Sequence, residues 1–418
     1  MYALKQAAIA GTLVAAVRIN LENRKMKSSQ PQKRTEWFSV TPDKITEAVT
    51  AADEALFDAI TATRLSEEQQ QRVAVPERVV HRQESVLAIH WHPEFVPMPL
   101  ITRRIEAMYP DKCCDLIIPT QHNVLTSCGD YAGVEVDCYS RGFNQKVQLL
   151  LHFVRSRIEN ADMLKSILAH TFKYRSSQLF EFMHTLTKPV EARIAAAARE
   201  TGANKALIDF TRVYVQKISR LLEAKGGGVP PEMIKNKILR NFFDGLREPH
   251  GDALIDRVQT FLKAVKIRVK AEFPLHYFYR TSEVIEEARA LGAGIVIPHP
   301  EQFWPILLAD YDVDGIEVWN PQSRKYTEFL ISVINQKNRC SGLSKRKLLI
   351  FMGDDTHMAE KTRDPEVQDG EKARREIGYQ PAWDDFSIRK ALIRAGASRR
   401  RVIEEYQERL GAVGAPGE

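Results

Sequence analysis

The chain has 418 residues, 44% of them hydrophobic and 27% charged, a balance that marks a globular protein and excludes a disordered one. Lys and Arg outnumber Asp and Glu by 60 to 54, a net charge of +6 that suits an anionic substrate but falls short of a dedicated nucleic-acid binder. The five cysteines, Cys113, Cys114, Cys128, Cys138 and Cys340, form no C-x-x-C pair, so neither a disulfide framework nor a zinc ribbon is expected, and a reducing, cytoplasmic setting fits best.

In chain order, residues 1–79 read as an N-terminal helical segment. Ala7–Val17 has the length of a signal-peptide apolar core, but it runs on into charged sequence without a small-residue cleavage site, so it reads as a surface or packing helix. No run reaches the roughly eighteen apolar residues needed to cross a bilayer, and no membrane partner is expected. Further on, Ile45, Val49, Ala52, Leu56 and Ile60 recur at helical spacing, and Thr41-Pro42 supplies an N-cap with proline at the first helical position. The spacing predicts one amphipathic helix without evident chemistry.

From residue 84 the pattern changes to short apolar runs, each stopping at a polar residue able to bind a metal: SVLAIHWH (85–92), CDLIIPTQHN (114–123), AGVEVD (132–137), KVQLLLHF (146–153), GAGIVIPHP (292–300), DGIEVWN (314–320) and KLLIFMGDDTH (347–357). Continuous runs of this kind indicate strands buried on both faces, as in a parallel sheet covered by helices. An α/β fold follows, a β/α barrel with its first part at 80–155 and its second at 276–400. Between them, 156–275 has helical composition broken at Gly226–Gly228, and reads as a helical subdomain inserted over the strand ends. A C-terminal helix and tail occupy 401–418.

Six of the eleven histidines, His90, His92, His122, His152, His299 and His357, fall at or just past the ends of these runs. In a parallel barrel all such ends open on one face, where ligands remote in sequence converge. His90-x-His92 places two imidazoles on one side of a strand, and Asp355-x-His357 repeats the geometry with one oxygen ligand. Glu135 in GVEVD and His299 in IPHP also terminate apolar runs, and His122 in PTQHN belongs to the same set. Mixed nitrogen and oxygen donors suit Mn²⁺, Zn²⁺ or Fe²⁺.

H-x-H after a first strand, T-x-H-N, G-V-E, I-x-H-P and a closing G-x-D-x-H, in this order, resemble the PHP (polymerase and histidinol phosphatase) superfamily over about residues 84–155 and 276–400. The resemblance implies a distorted seven-stranded, TIM-like β/α barrel holding two or three divalent ions, with His90, His92, His122, Glu135, His299, Asp355 and His357 as ligands. His90, His92, Glu135 and Asp355 would carry the catalysis. Three positions depart from the pattern. Gln121 replaces the usual acid of T-D-H, PEFVPMP leaves Glu94 as the substitute for a ligand after H-x-H, and Gln148 falls where a V-H-x-L-G-Y histidine would, with His152 four residues later. Glu317 in GIEVWNP matches a recurrent strand and is expected to support a ligand rather than act as one.

The implied activity is that of a metal-dependent phosphoesterase, in which metal-activated hydroxide attacks a phosphomonoester or phosphodiester and an unligated His or carboxylate protonates the leaving group. Arg141, Arg324, Lys325, Lys235, Lys237 and Arg240 are candidates for holding phosphate. The partner would be a phosphorylated small molecule or nucleotide, and a nucleic acid is compatible, so phosphatase and nuclease both stay open. Two other readings stand beside this one: an amidohydrolase-like attack on carbonyl carbon, and a non-catalytic PHP-type binding or regulatory protein.

Overall fold

The computed structural model describes residues 45–340 and 346–412. The chain divides into two compact units, one formed by Leu65–Phe172 with the described part of Leu275–Glu418, the other by the described part of Lys33–Arg64 with Lys173–Pro274. Ala7–Val17 and Thr41-Pro42 lie outside the described residues. Where apolar spacing predicts one helix, two form. α1 (Ala51–Thr61) starts at a capping box between Thr50 and Asp53, and α2 (Glu67–Ala74) at another between Ser66 and Gln69. These side chains satisfy the first backbone N–H groups, and so they set starts that hydrophobic periodicity does not record.

All strands among the described residues belong to the first unit. β1 (Ser85–Ala88) pairs in parallel with β3 (Cys114–Ile117), and β2 (Trp91–His92) with β10 (Thr356–His357). A six-stranded sheet takes the order β4 (Thr126–Cys128), β5 (Tyr131–Ser140), β6 (Gln145–Val154), β7 (Gly294–Ile297), β8 (Gly315–Trp319), β9 (Leu349–Met352). These sheets are open, and no closed barrel is present among the described residues.

Nor is the large sheet wholly parallel, as the apolar runs predict. β7, β8 and β9 run parallel, but β6 is antiparallel to both β5 and β7. The connection decides this, because only Arg141–Asn144 joins β5 to β6 and a parallel crossover takes about a dozen residues or more. Ladders break where the backbone turns to positive φ, at Glu94 (52°), Asn123 (56°), His299 (24°) and Asp355 (47°). Single contacts cross the breaks: Asp355 N donates to His90 O (2.9 Å), Thr120 N to Trp91 O (2.8 Å), and an isolated parallel bridge joins His122 to Glu135.

Beyond α3 (Met98–Met108), α4 (Asp162–Phe172) packs Leu164, Ile167 and Leu168 into the core of the strand unit. The second unit gathers α5 (Tyr174–Thr187), α6 (Glu191–Thr201), α7 (Lys205–Lys225), α8 (Lys237–Asp244) and α9 (Asp252–Glu272), and its core takes in Phe57 of α1. Val284, Ile285 and Ala288 of α10 (Thr281–Ala290), Leu330, Ile331 and Ile334 of α11 (Thr327–Cys340), Ile388 and Leu392 of α12 (Phe386–Ala395), and Val402, Ile403 and Tyr406 of α13 (Arg399–Ala412) complete the strand unit's core. Among the described residues no helix is long and apolar enough to cross a membrane.

Candidate metal centre

Each of the seven expected ligands is placed by a strand end, a turn of the backbone or a bridge. His90 precedes β2 and His92 closes it, while His357 pairs with His92 across the β2–β10 ladder. His122 is bridged to Glu135 of β5, His299 follows β7, and Asp355 lies between β9 and β10.

All seven side chains come together. Glu135 Oε1 lies 3.3 Å from His299 Nε2 and 3.9 Å from His90 Nε2, while its Oε2 lies 3.8 Å from His92 Nε2 and against His122 Nδ1. Asp355 Oδ1 faces His92 Nε2 at 3.4 Å, His357 Nε2 at 3.5 Å and His90 Nε2 at 3.8 Å. The His92 ring stacks on His122 at 4.2 Å and on His357 at 4.3 Å. Three overlapping sets could each hold an ion, their ligand atoms all within 4.8 Å of one another: His92, His122 and His357; His90, His92 and Asp355; His90, Glu135 and His299.

The arrangement suits a cation. His90 Nε2, both ring nitrogens of His92 and His299 Nδ1 are buried without a hydrogen-bond partner, although buried polar atoms are ordinarily satisfied. Burial works against charge on His90, yet Glu317, Asp355 and Glu135 outweigh it and raise its pKa to about 10. Burial, joined by the charges of His122 and His357, pushes His92 down to about 3. Against burial, His122, His299 and His92 hold Glu135 well below the usual carboxylate range, and His357, His92 and His90 do the same for Asp355. The two carboxylates are therefore anionic in a dry setting, with imidazole nitrogens turned toward them.

Further side chains aim the seven. Glu317 Oε1 accepts from His90 Nδ1 at 2.8 Å, which leaves Nε2 facing the cluster, and Glu317 Oε2 accepts from His299 N at 2.8 Å. Gly353 is required beside it, since a Cβ there would stand 1.5 Å from Glu317 Oε1. Asp355 Oδ2 accepts from Gln322 Nε2 (2.8 Å) and Arg375 Nη1 (2.9 Å), so Oδ1 is the oxygen turned to the imidazoles. Glu94 stands behind His357, with Oε1 3.7 Å from Nδ1 and Oε2 accepting from Ala359 N. Asn123 ties the His122 loop to β5 through Asp137.

Two candidates do not join the cluster. His152 uses both ring nitrogens elsewhere, on Tyr406 Oη (2.7 Å) and Ile89 O (3.0 Å), and burial lowers its pKa to about 4. Because β6 runs antiparallel, the end of its apolar run lies at the opposite end of the sheet from the ends of β5 and β7. Arg141 follows β5, six residues beyond Glu135, which is about 20 Å of extended chain.

Sequence reasoning misses Arg375, Gln322 and Glu301. The first two sit in polar segments with no motif. Glu301, in the stretch after His299, has a buried Oε2 without a hydrogen-bond partner, and burial raises its pKa to about 7. The Asp354-Asp355 doublet divides, with Asp354 Oδ2 accepting from Gly378 N and Gln380 Nε2 while Asp355 turns to the cluster.

No protein-family model and no curated protein matches the chain. Among solved structures, the chain is similar to the crystal structure of a "putative metal-dependent phosphoesterase" from Bifidobacterium adolescentis ATCC 15703, with a TM-score of 0.38 and 14% identity over 77% of this chain and 97% of that one.

Proposed function

We propose that the protein is a metal-dependent phosphoesterase of PHP type, hydrolysing the phosphomonoester or phosphodiester of a phosphorylated small molecule or nucleotide. One observation carries the reading: five histidines and two carboxylates from separate strands converge, with ring nitrogens buried and unsatisfied between two anionic carboxylates. Mn²⁺, Zn²⁺ or Fe²⁺ held by these residues would polarise the phosphoryl group and lower the pKa of water, which answers the charge repulsion that makes phosphate esters slow to hydrolyse.

The chain's own residues would divide the work. Glu135 presents its two oxygens to different imidazoles and would serve as a metal ligand beside them, and Asp355 would offer Oδ1 while Arg375 and Gln322 restrain Oδ2. Glu317 would hold His90 in the orientation that presents Nε2. The reading extends to the fold. A distorted seven-stranded barrel, with β1–β2 and β9–β10 as interrupted single strands, is supported by the pairings β10–β2 and β1–β3 and by the His122–Glu135 bridge, which continue the order β5 to β9.

The test is metal analysis of the full chain purified without chelator, followed by assays with Mn²⁺ on p-nitrophenyl phosphate, bis-p-nitrophenyl phosphate, and ester and amide substrates. Turnover of a phosphate ester is expected, falling about 100-fold or more in His90→Ala and Asp355→Asn. Turnover of esters or amides alone would favour the amidohydrolase-like alternative. Less than about one ion per chain, with His90→Ala changing nothing, would make the protein a non-catalytic binder.

A further inference from the structure

A groove of about 390 Å³ opens in the strand unit, within the size range of small-ligand sites, and none of the seven cluster residues lines it. Tyr139, Arg141, His170, Tyr277, Tyr279 and Arg280 give it its character. Strand direction relates it to the metal centre. β5 and β7 are both antiparallel to β6, and β8 and β9 are parallel to β7, so Arg141 emerges after β5 on the face where His299 follows β7 and Asp355 follows β9. Alternation along β5 puts Glu135, Asp137 and Tyr139 on one side of the strand, with Tyr139 about 13 Å from Glu135. Lys146 stands on this track, ion-paired to Asp137 and 5.8 Å from the centre of the Phe278 ring in the groove wall.

The rings of the groove are braced. His170 stacks on Tyr277 at 4.5 Å and 22°, His170 Nε2 bonds Tyr277 O (3.0 Å), and Tyr277 Oη donates to His170 O (3.0 Å). Tyr279 meets His170 edge-on at 5.5 Å, and its carbonyl accepts from Tyr139 N (2.8 Å). Rings already fixed in place lose little entropy when a flat ligand settles among them. The cations differ in availability. Arg280 has Glu283 at 3.8 Å, whereas Arg141 makes no ion pair among the described residues. Rings alone would suit any apolar group, and a cation alone any anion. Together they select a planar aromatic group that carries a negative charge.

We infer that this groove is a second binding site, for a nucleotide residue, with the base among His170, Tyr277 and Tyr279 and a phosphate held by Arg141. Resting on the phosphoesterase reading, the inference adds a substrate class: a phosphodiester strand whose scissile group lies at the cluster and which places a nucleotide further along its length in the groove.

Calorimetric titration of the full chain with AMP and with ribose 5-phosphate separates ring from anion. Titrating the His90→Ala chain as well keeps phosphate binding at the cluster from being mistaken for the groove. AMP is expected to bind about tenfold tighter than ribose 5-phosphate in both chains. Arg141→Ala and His170→Ala should each weaken AMP about fivefold or more, with thermal melting confirming that the variants fold. Equal affinity for the two ligands, or AMP affinity untouched by both substitutions, overturns the site. A short oligodeoxynucleotide that displaces AMP supports the phosphodiester class; failure to displace it overturns that class and leaves a free nucleotide as the ligand. Arg141-dependent AMP binding in a chain that turns over no phosphate ester keeps the groove while defeating the phosphoesterase reading.

Discussion

At the scale of the residue, His90 shows how one ring is turned to use. Its Nδ1 is engaged by Glu317, so only Nε2 is presented to Glu135 and Asp355. Glu317→Gln keeps the shape and removes the charge that fixes the ring and makes it more basic. The expected outcome is about a tenfold loss of metal affinity with the chain still folded, read by competition with a chromophoric chelator. Gly353→Ala should do the same by steric means, because its Cβ would drive the Glu317 carboxylate off His90. Unchanged affinity in Glu317→Gln would reduce that side chain to a packing element. The convergence of the seven was legible because each falls where an apolar run meets a polar side chain that solvent exposure does not explain. Arg375 was not, since a basic residue in KARREIG has a sufficient reason to be there in solvation alone, and only folding brings it 2.9 Å from Asp355.

Among elements, strand existence could be read from the apolar runs, while strand direction could not. A buried strand is hydrophobic on both faces whichever way it runs, so the antiparallel course of β6 depends on the short Arg141–Asn144 connection, and with it the removal of His152 from the cluster. Pairing across breaks was equally hidden. The loop bearing His122 is held to β5 by Asn123, whose Nδ2 donates to Asp137 Oδ2 (2.8 Å) and whose Oδ1 accepts from Asp137 N (2.9 Å), at a φ of 56°. Asn123→Gly loses both bonds but tolerates the left-handed backbone, whereas Asn123→Ala loses them and adds strain. Each should destabilise the strand unit by about 2 kcal/mol for the lost bonds, with about 1 kcal/mol more for alanine. Urea unfolding followed by tryptophan fluorescence checks this, since four of the five tryptophans, Trp91, Trp304, Trp319 and Trp383, lie in that unit. Equal stability of both variants and the parent would mean the loop is held by something else.

For the whole molecule, the relevant fact is that each unit has a core of its own. The strand unit buries the strands with α4, α10, α11, α12 and α13, and the helical unit buries Phe57, Phe210, Phe242, Phe243 and Phe261. Which helix joins which core is not a local property. α1, which precedes every strand, packs with the second unit, while α4, which opens the helical stretch, packs with the first. Helical periodicity names a buried face, not what buries it. Two cores imply two cooperative transitions with separate controls. If the cluster holds ions as proposed, they would bind only the folded strand unit, so Mn²⁺ should raise the calorimetric transition that coincides with the tryptophan change. The helical unit answers to a different group: Lys217 and Asp53 form a buried ion pair at 2.9 Å. Lys217→Met strands the Asp53 carboxylate in the interior at a cost of about 3 kcal/mol, and Asp53→Asn in the same chain should recover much of it. The substitution should therefore lower the transition that Mn²⁺ leaves alone. If Lys217→Met and Mn²⁺ instead shift one common transition, the two cores unfold as one.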